Sequence, residues 1–408
     1  MRALHLMTLS LMACAPSAAQ VRPGIEVLLS DSLHLVAGKR VGLLTNQTGV
    51  DRAGRRDVDL LYGHTAVRLT VLFSPEHGFR GTEDRPGLAD AKDSATGLPI
   101  YSLYGGTPLS AVPALDSLDV VVIDLQEIGA RYYTYTSSAT QLMREAARRA
   151  KRVVVLDRPD PLGGTMVQGN VRAAAVDPDS AFVGFLPVPM RHGMTLGELL
   201  RMANDLLGLH ADLVVVPTVG WHRGSYYDAT GMPWVRPSPN MPDLESALHY
   251  PGTCVFEGTN LSVGRGTAFA FQVIGAPWLN PEAVLSRLRD QRWGMRDALL
   301  GVALDSITFT PNAPTDGKYG GVPLKGVRLR VTDRERYDPT RLAVALLVAI
   351  RAAHPDAFRF RAAQFDRLAA GSDLRQQIES GARPAAIWAA WDSALVIFRR
   401  TRAKYLLY

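Results

Sequence analysis

The residues best suited to acid–base chemistry sit in a few short polar segments. Ser74-Pro75-Glu76-His77-Gly78-Phe79-Arg80-Gly81 places a carboxyl between a proline and a histidine, with a glycine following. Proline pre-sets φ and glycine accepts positive φ, so the pattern predicts a tight turn that projects Glu76. The blander alternative is a helix-capping carboxylate, or one paired with Arg80. Asp124 and Glu127 lie three residues apart, and Arg131 follows four after Glu127. On a helix, Glu127 and Arg131 would pair on one face. Hydrolysis of a glycosidic bond takes two carboxyl groups, one to protonate the leaving oxygen and one to act as base or nucleophile. Glu76, Asp124, Glu127 and Glu257 are more than that requires, so the count alone does not choose among them.

Other chemistries find less support. Asn46-Gln47-Thr48-Gly49-Val50 stands where a dinucleotide fold would carry G-x-G-x-x-G, and neither a phosphate-cradling Gly-Lys-Ser/Thr loop nor a G-x-S-x-G elbow occurs. His77, His192, His222 and His249 are scattered, without H-E-x-x-H or cysteine partners. No cofactor and no catalytic metal are expected. His77 and His192 fall in polar loops where they can touch a ligand, although a lone histidine is more often structural.

Elements that would position these residues can be read from the apolar runs. Arg40–Asn46, Arg68–Glu76, Asp119–Gln126, Arg152–Pro159 and Ala211–Thr218 are β-branched and continuous rather than alternating. That is the signature of strands covered on both faces. Ser138–Ala150 is amphipathic at helical spacing, and Thr195–Leu207 opens on a capping box of Thr195 and Glu198. Strand–helix alternation predicts an α/β fold with a Rossmann-like, mostly parallel sheet. In such sheets ligands bind at the carboxyl ends of the strands, where the polar segments fall. From Pro277 onward the pattern changes to helix 281–292, strands Asp305–Thr310 and Gly326–Thr332, helix Pro339–Ala353 and helices 374–380 and 384–403. We therefore expect a sheet domain over 24–276 and a smaller α+β domain over 277–408. Gly231–Gly266, rich in proline, glycine and aromatics, reads as a long functional loop. Trp221, Trp234 and Tyr250 are the sugar-stacking candidates in this region, each more often a core residue than a ligand contact.

The 408 residues are 47% hydrophobic and 21% charged, which excludes a disordered or collagen-like chain. A net charge of +6 comes from dispersed arginines without a basic stripe, so nucleic-acid binding is not expected and an anionic polysaccharide is a better partner. Residues 1–20 read as an export signal: Arg2, then an apolar stretch, then small residues. Leu11-Met12-Ala13-Cys14 resembles a lipoprotein cleavage box, and cleavage after Ala18-Ala19 is the rival reading. The expected location is exported, either periplasmic or membrane-anchored through a lipidated Cys14. If Cys14 is acylated or removed, Cys254 has no disulfide partner.

The segments also resemble, in order, the exo-β-N-acetylmuramidases of the NamZ type, a bacterial family long carried as a domain of unknown function. The resemblance rests on GKRVGLLTNQTGVD (38–51), LFSPEHGFRG (72–81), TGLPIYSLYG (96–105), VVIDLQEIGARYYTYTS (121–137), VVLDRPDPLGG (154–164), RHGMTLGEL (191–199), TGMPWVRPSPNMP (230–242) and YPGTCVFEGTNLSVGRGT (250–267), with the C-terminal YGGVPLKGVRLRVTD and FDRLAAGSDLRQQIESG, and it covers 24–408. It implies a Rossmann-like domain, a smaller C-terminal domain and an active site between them. It also implies hydrolysis releasing the non-reducing terminal N-acetylmuramic acid (MurNAc) from β-1,4-linked MurNAc–N-acetylglucosamine fragments in cell-wall turnover. Glu127 departs from the aspartate expected in many relatives. On this reading Glu76 is the acid, and Asp124 or Glu127 activates water or stabilises the transition state. Arg131, Arg191 or Arg265 would hold the lactyl carboxylate, and Asn46, Gln47 and Asn240 the hydroxyls or acetamido group. His77, Tyr133, His192 and Glu257 complete the expected binding set. The alternative is an exported protein that binds the sugar without turnover.

Overall fold

A computed structural model describes residues 20–85 and 87–408. Residues 1–19 of the expected signal segment, Cys14 among them, lie outside the described residues. In chain order the strands are β1 (Arg40–Thr45), β2 (Arg68–Ser74), β3 (Ala91–Lys92), β4 (Pro99–Ser102), β5 (Val120–Asp124), β6 (Arg152–Leu156), β7 (Gln168–Val171), β8 (Pro189–Arg191), β9 (Leu213–Val216), β10 (Val273–Ala276), β11 (Val302–Phe309) and β12 (Leu324–Val331). Among the described residues they form a seven-stranded sheet in the order β3-β4-β2-β1-β5-β6-β9, a three-stranded sheet β10-β12-β11 and a β7–β8 ribbon. The large sheet is parallel except for β3, which pairs antiparallel at its edge. This is the α/β architecture expected from the apolar runs.

Those runs are continuous because each strand packs on both faces. Along β5, Val121 and Ile123 join one apolar cluster, while Val120 and Val122 join the other. On the first face lie the helices Tyr135–Arg148 and Leu196–Leu206; on the second lie Gly24–Asp31 and Asp57–Tyr62. The capping box is present: the Thr195 hydroxyl accepts from the Glu198 N–H, and the Glu198 carboxylate accepts from the Thr195 N–H. The chain runs from β1 outward through β2 and β4, then returns to β5 on the other side of β1. That makes the gap between the β1 and β5 carboxyl ends the topological switch point.

The first cluster continues without a break into the second sheet and the apolar helix Pro339–Ala353. The second sheet takes in β10, which precedes the boundary read at 276/277 and pairs along its length with β12. Gly231–Gly266 is not one loop. It holds the helix Leu244–Thr253, whose first turn is capped by the Asp243 carboxylate accepting from the Ser246 N–H, and a 3₁₀ turn at Cys254–Gly258. The last helix, Pro384–Arg402, returns the C-terminus to the large sheet. There Arg402 donates to the carbonyls of Gly164, His192 and Gly193, and the Tyr408 hydroxyl donates to Asp157. Among the described residues no helix is long and apolar enough to cross a membrane.

Candidate active site

A cleft of about 1050 Å³ opens above the strand ends, walled by loops of the large sheet and by segments of the C-terminal half. Glu76 lines it. Strand β2 ends at Ser74, and the chain then folds tightly on itself: Gly78 N–H donates to the Pro75 carbonyl at 3.1 Å, and His77 Nδ1 donates to the Glu83 carbonyl at 2.8 Å. His77 takes φ 68°, a left-handed conformation that a non-glycine residue adopts only at a cost. The result is a half-buried Glu76 turned toward the start of the helix Tyr135–Arg148. Thr134 occupies the N-cap position of that helix, yet its hydroxyl bonds Glu76 Oε2 at 2.5 Å instead of a helix N–H. Tyr104 stands on the same carboxylate. Burial, and then the Glu76 charge, push its phenol up to about 12.

The floor is aromatic. Tyr132, Tyr133, Tyr250 and Phe271 line the cleft and meet edge to face, with Tyr250 4.6 Å from Phe271 and 6.0 Å from Tyr132 between ring centroids. Such a surface suits the apolar face of a sugar ring. One wall is charged. Arg265, between Gly264 and Gly266, meets Glu257 at 2.5 Å and Asp84 at 3.2 Å, joining the loop after Glu76 to the C-terminal half. Asp84 also accepts from Asn240 Nδ2 at 2.6 Å and from the Thr315 hydroxyl, and lies 3.6 Å from His77 Nδ1.

The expected site residues therefore divide. Glu76, His77, Tyr133, Glu257 and Arg265 line one cleft. Asn46, Gln47 and Asn240 stand behind it as props: Asn46 Nδ2 donates to the Tyr135 hydroxyl at 2.8 Å, Gln47 Nε2 to the Arg236 carbonyl at 2.8 Å, and Asn240 fixes Asp84. Asp124 does not reach the cleft. It is fully buried and takes both Nε (2.5 Å) and Nη2 (2.9 Å) of Arg158. Arg131 and Arg191 direct their donors inside the protein, Arg131 mainly to the carbonyls of Asn170, Val188 and Leu368, and Arg191 to the Leu162 carbonyl and Gln168. Neither offers a fork to a ligand. Glu127 and Arg131 do not pair, because the segment after β5 is not helical there.

Glu127 is also buried. It accepts from the Gly129 N–H and faces His192 Nε2 at 3.5 Å. His192 Nδ1 accepts from the Met194 N–H, so Nε2 carries the hydrogen toward Glu127. Burial pulls the His192 ring down, but Glu127 and Asp160 outweigh it and the net shift is upward. Asp160 beside them is pushed up to about 7, by burial first and also by Glu127, with His192 pulling against. An acid whose folded pKa lies above its unfolded value binds more protons when folded, so its contribution to stability falls as pH rises from about 4 through 7. An asparagine in place of Asp160 keeps the oxygen that accepts from the Leu162 N–H. Asp160→Asn is expected to raise the unfolding free energy at pH 8 by a few kcal/mol, up to about 4, and to change it by under about 1 at pH 4. Urea titrations at the two pH values check this; equal effects at both would remove the titration from the account.

Asp84, Tyr104, Thr134, Arg172 and Arg367 line the cleft but are not among the expected site residues, although Tyr104, Thr134 and Arg367 fall inside segments that resemble the family. Asp84 lies in an irregular stretch, and Arg172 and Arg367 belong to elements with no sequence tie to the strand ends.

Residues 41–245 match the N-terminal family model of the exo-beta-N-acetylmuramidase NamZ, and residues 248–408 match its C-terminal model. The chain belongs to the NamZ family. It is 38% identical over 392 residues to the peptidoglycan beta-N-acetylmuramidase NamZ of Bacillus subtilis (strain 168), covering 95% of this chain and 92% of that protein. Two crystal structures of DUF1343 family proteins from Bacteroides fragilis NCTC 9343 share the fold. One has a TM-score of 0.84 at 32% identity, covering 96% of this chain and all of that one. The other has a TM-score of 0.74 at 29% identity, covering 96% and 99%. Membership of the NamZ family makes the chain a glycosidase, as the resemblance implied.

Proposed function

We propose that the cleft takes a non-reducing terminal MurNAc residue of a peptidoglycan fragment and that hydrolysis of its β-1,4 bond starts with proton donation from Glu76. One observation carries this assignment. Glu76 is a cleft carboxylate with no cationic partner among the described residues; its contacts are the Thr134 hydroxyl and Tyr104. Asp84 and Glu257 share Arg265, and at the rim Asp366 is held by Arg375 and Asp179 by Arg144. A neighbouring cation favours the ionised form of a carboxylate, whereas a general acid must hold a proton when substrate arrives. Glu76 suits the donor role. Asp84 lies beside the same turn and suits a fixed negative charge facing an oxocarbenium-like transition state. Tyr104 and Thr134 orient the donor. The first 20 residues, read as an export signal, would bring the cleft to wall fragments outside the cytoplasm, free in the periplasm or held at a membrane by Cys14.

The test is product formation. Incubated with MurNAc-β-1,4-N-acetylglucosamine, the protein is expected to release both monosaccharides, resolved by chromatography with mass detection. Saturable binding with the disaccharide recovered intact would establish the binding-protein alternative instead.

A further inference from the structure

MurNAc differs from N-acetylglucosamine by a lactyl ether that ends in a carboxylate. A protein that selects it needs a cation not already committed to its own acids. In this cleft most charged groups are committed. Arg265 is taken by Glu257 and Asp84, and Asp366, next in sequence to Arg367, accepts both Nε and Nη2 of Arg375 at 2.8 Å. Two cleft-lining arginines stand apart. Among the described residues Arg172 and Arg367 form no ion pair, and Arg172 Nε is shielded from solvent without any hydrogen-bond partner.

Their placement is built by other residues. Arg172 directly follows β7, and Arg367 lies in the last turn of the helix Ala362–Leu368. Those two segments are stitched together: Arg131 donates to the Asn170 and Leu368 carbonyls, and Asn170 Nδ2 donates to the Ala369 carbonyl at 2.6 Å. The seam therefore holds the residues flanking both arginines in one wall. Arg367 also acts on Tyr104, the phenol that stands on Glu76, so the basic wall and the acid belong to one site. We propose that Arg172 and Arg367 together receive the lactyl carboxylate and set the preference for MurNAc, with Arg131 as the positioning residue that joins their segments. A guanidinium fork binds a carboxylate with two parallel hydrogen bonds, and two forks can share its two oxygens.

This proposal rests on the Glu76 cleft being the active site, and the experiment separates the two. The probes are 4-nitrophenyl β-MurNAc and the same glycoside with its lactyl carboxyl converted to the amide. Wild type is expected to prefer the acid by at least about tenfold in kcat/KM, the loss that follows when a charge-assisted pair is replaced by a neutral one. Arg172→Gln and Arg367→Gln, assayed separately, are expected to lower kcat/KM for the acid about tenfold or more while moving the amide less than about threefold. Lysine at either position should restore part of the preference. Retention of the wild-type acid-to-amide ratio in both glutamine variants, or an equal loss on both probes, overturns the proposal. Glu76→Gln should lower kcat on both probes by the same factor. Full activity of that variant on MurNAc-β-1,4-N-acetylglucosamine, whose sugar leaving group needs the proton, would reject the site itself, whatever the arginine variants show.

Discussion

Glu76→Gln is expected to lower kcat on MurNAc-β-1,4-N-acetylglucosamine by about 10²–10⁴-fold, the range over which a positioned acid acts. The loss should depend on the leaving group. A sugar hydroxyl departs poorly without a proton, whereas nitrophenolate departs readily, so the deficit on the nitrophenyl glycoside should be far smaller. That contrast separates a proton donor from a residue that merely shapes the pocket, which would cost both substrates alike. The fold should tolerate the change. Glutamine keeps an oxygen to accept from the Thr134 hydroxyl, and among the described residues no cation loses a partner. Half-buried polar replacements of this kind shift stability by under about 1 kcal/mol. Thermal melts alongside the kinetics check that point. Near-wild-type turnover of the disaccharide in a well-folded variant would take Glu76 out of the reaction.

Much of this architecture is legible without coordinates, for a specific reason. Strands covered on both faces leave no polar face, so Val120–Ile123 or Val153–Leu156 reads as a strand from composition alone. Where the covering is tertiary rather than local, the residues do not announce it. The helix Tyr135–Arg148 begins three residues before its expected start, because Tyr135, Thr136 and Ser137 are poor helix formers held by burial. The helix Leu244–Thr253 is disguised by Tyr250-Pro251-Gly252, which looks like a loop yet packs against the helix Pro339–Ala353: a Cβ on Gly252 would collide with the Pro339 carbonyl oxygen. The site divides the same way. Glu76 stands out because its flanking proline and glycine dictate a turn. Asp124 and Glu127 are placed wrongly by sequence because a carboxylate at a strand end looks the same whether it faces solvent or an internal partner. Arg158 lies 34 residues from Asp124, and His192 is more distant still from Glu127. Arg172 and Arg367 are not singled out by the sequence, since what distinguishes them is the lack of an ion-pair partner among the described residues, which only the folded chain can reveal.

Asp124→Asn is expected to be the most damaging single substitution for stability rather than for chemistry. The carboxylate lies with no exposure at the end of β5 and receives a two-pronged Arg158, itself 2% exposed. Arg158 Nη2 also donates to the Val50 carbonyl at 3.0 Å, so the ion pair ties β5, the loop after β1 and the loop after β6 at the switch point. Asp57 shares the pocket. Burial first, and then the Asp124 charge, hold its carboxyl well above the usual carboxylate range, and it meets the Thr45 hydroxyl at 2.5 Å. Burial raises the Asp124 carboxyl too, but Arg158 pulls against it, so Asp124 is the acid of the two that the guanidinium favours as the anion. Removing that charge strands Arg158 in the interior, where an unpaired ion costs about 3–5 kcal/mol. Two-state domains have only about 5–15 kcal/mol in total, so the variant should unfold at much lower denaturant and accumulate poorly. Replacing both partners by apolar residues, as in D124L/R158M, should recover much of the loss, because the desolvation cost of both charges disappears with them. Turnover per folded molecule should stay within a few-fold of wild type, measured below the melting transition. If Asp124→Asn instead melts like wild type but loses turnover, the ion pair is not what this carboxylate is for, and Asp124 returns to the reaction as the second acid.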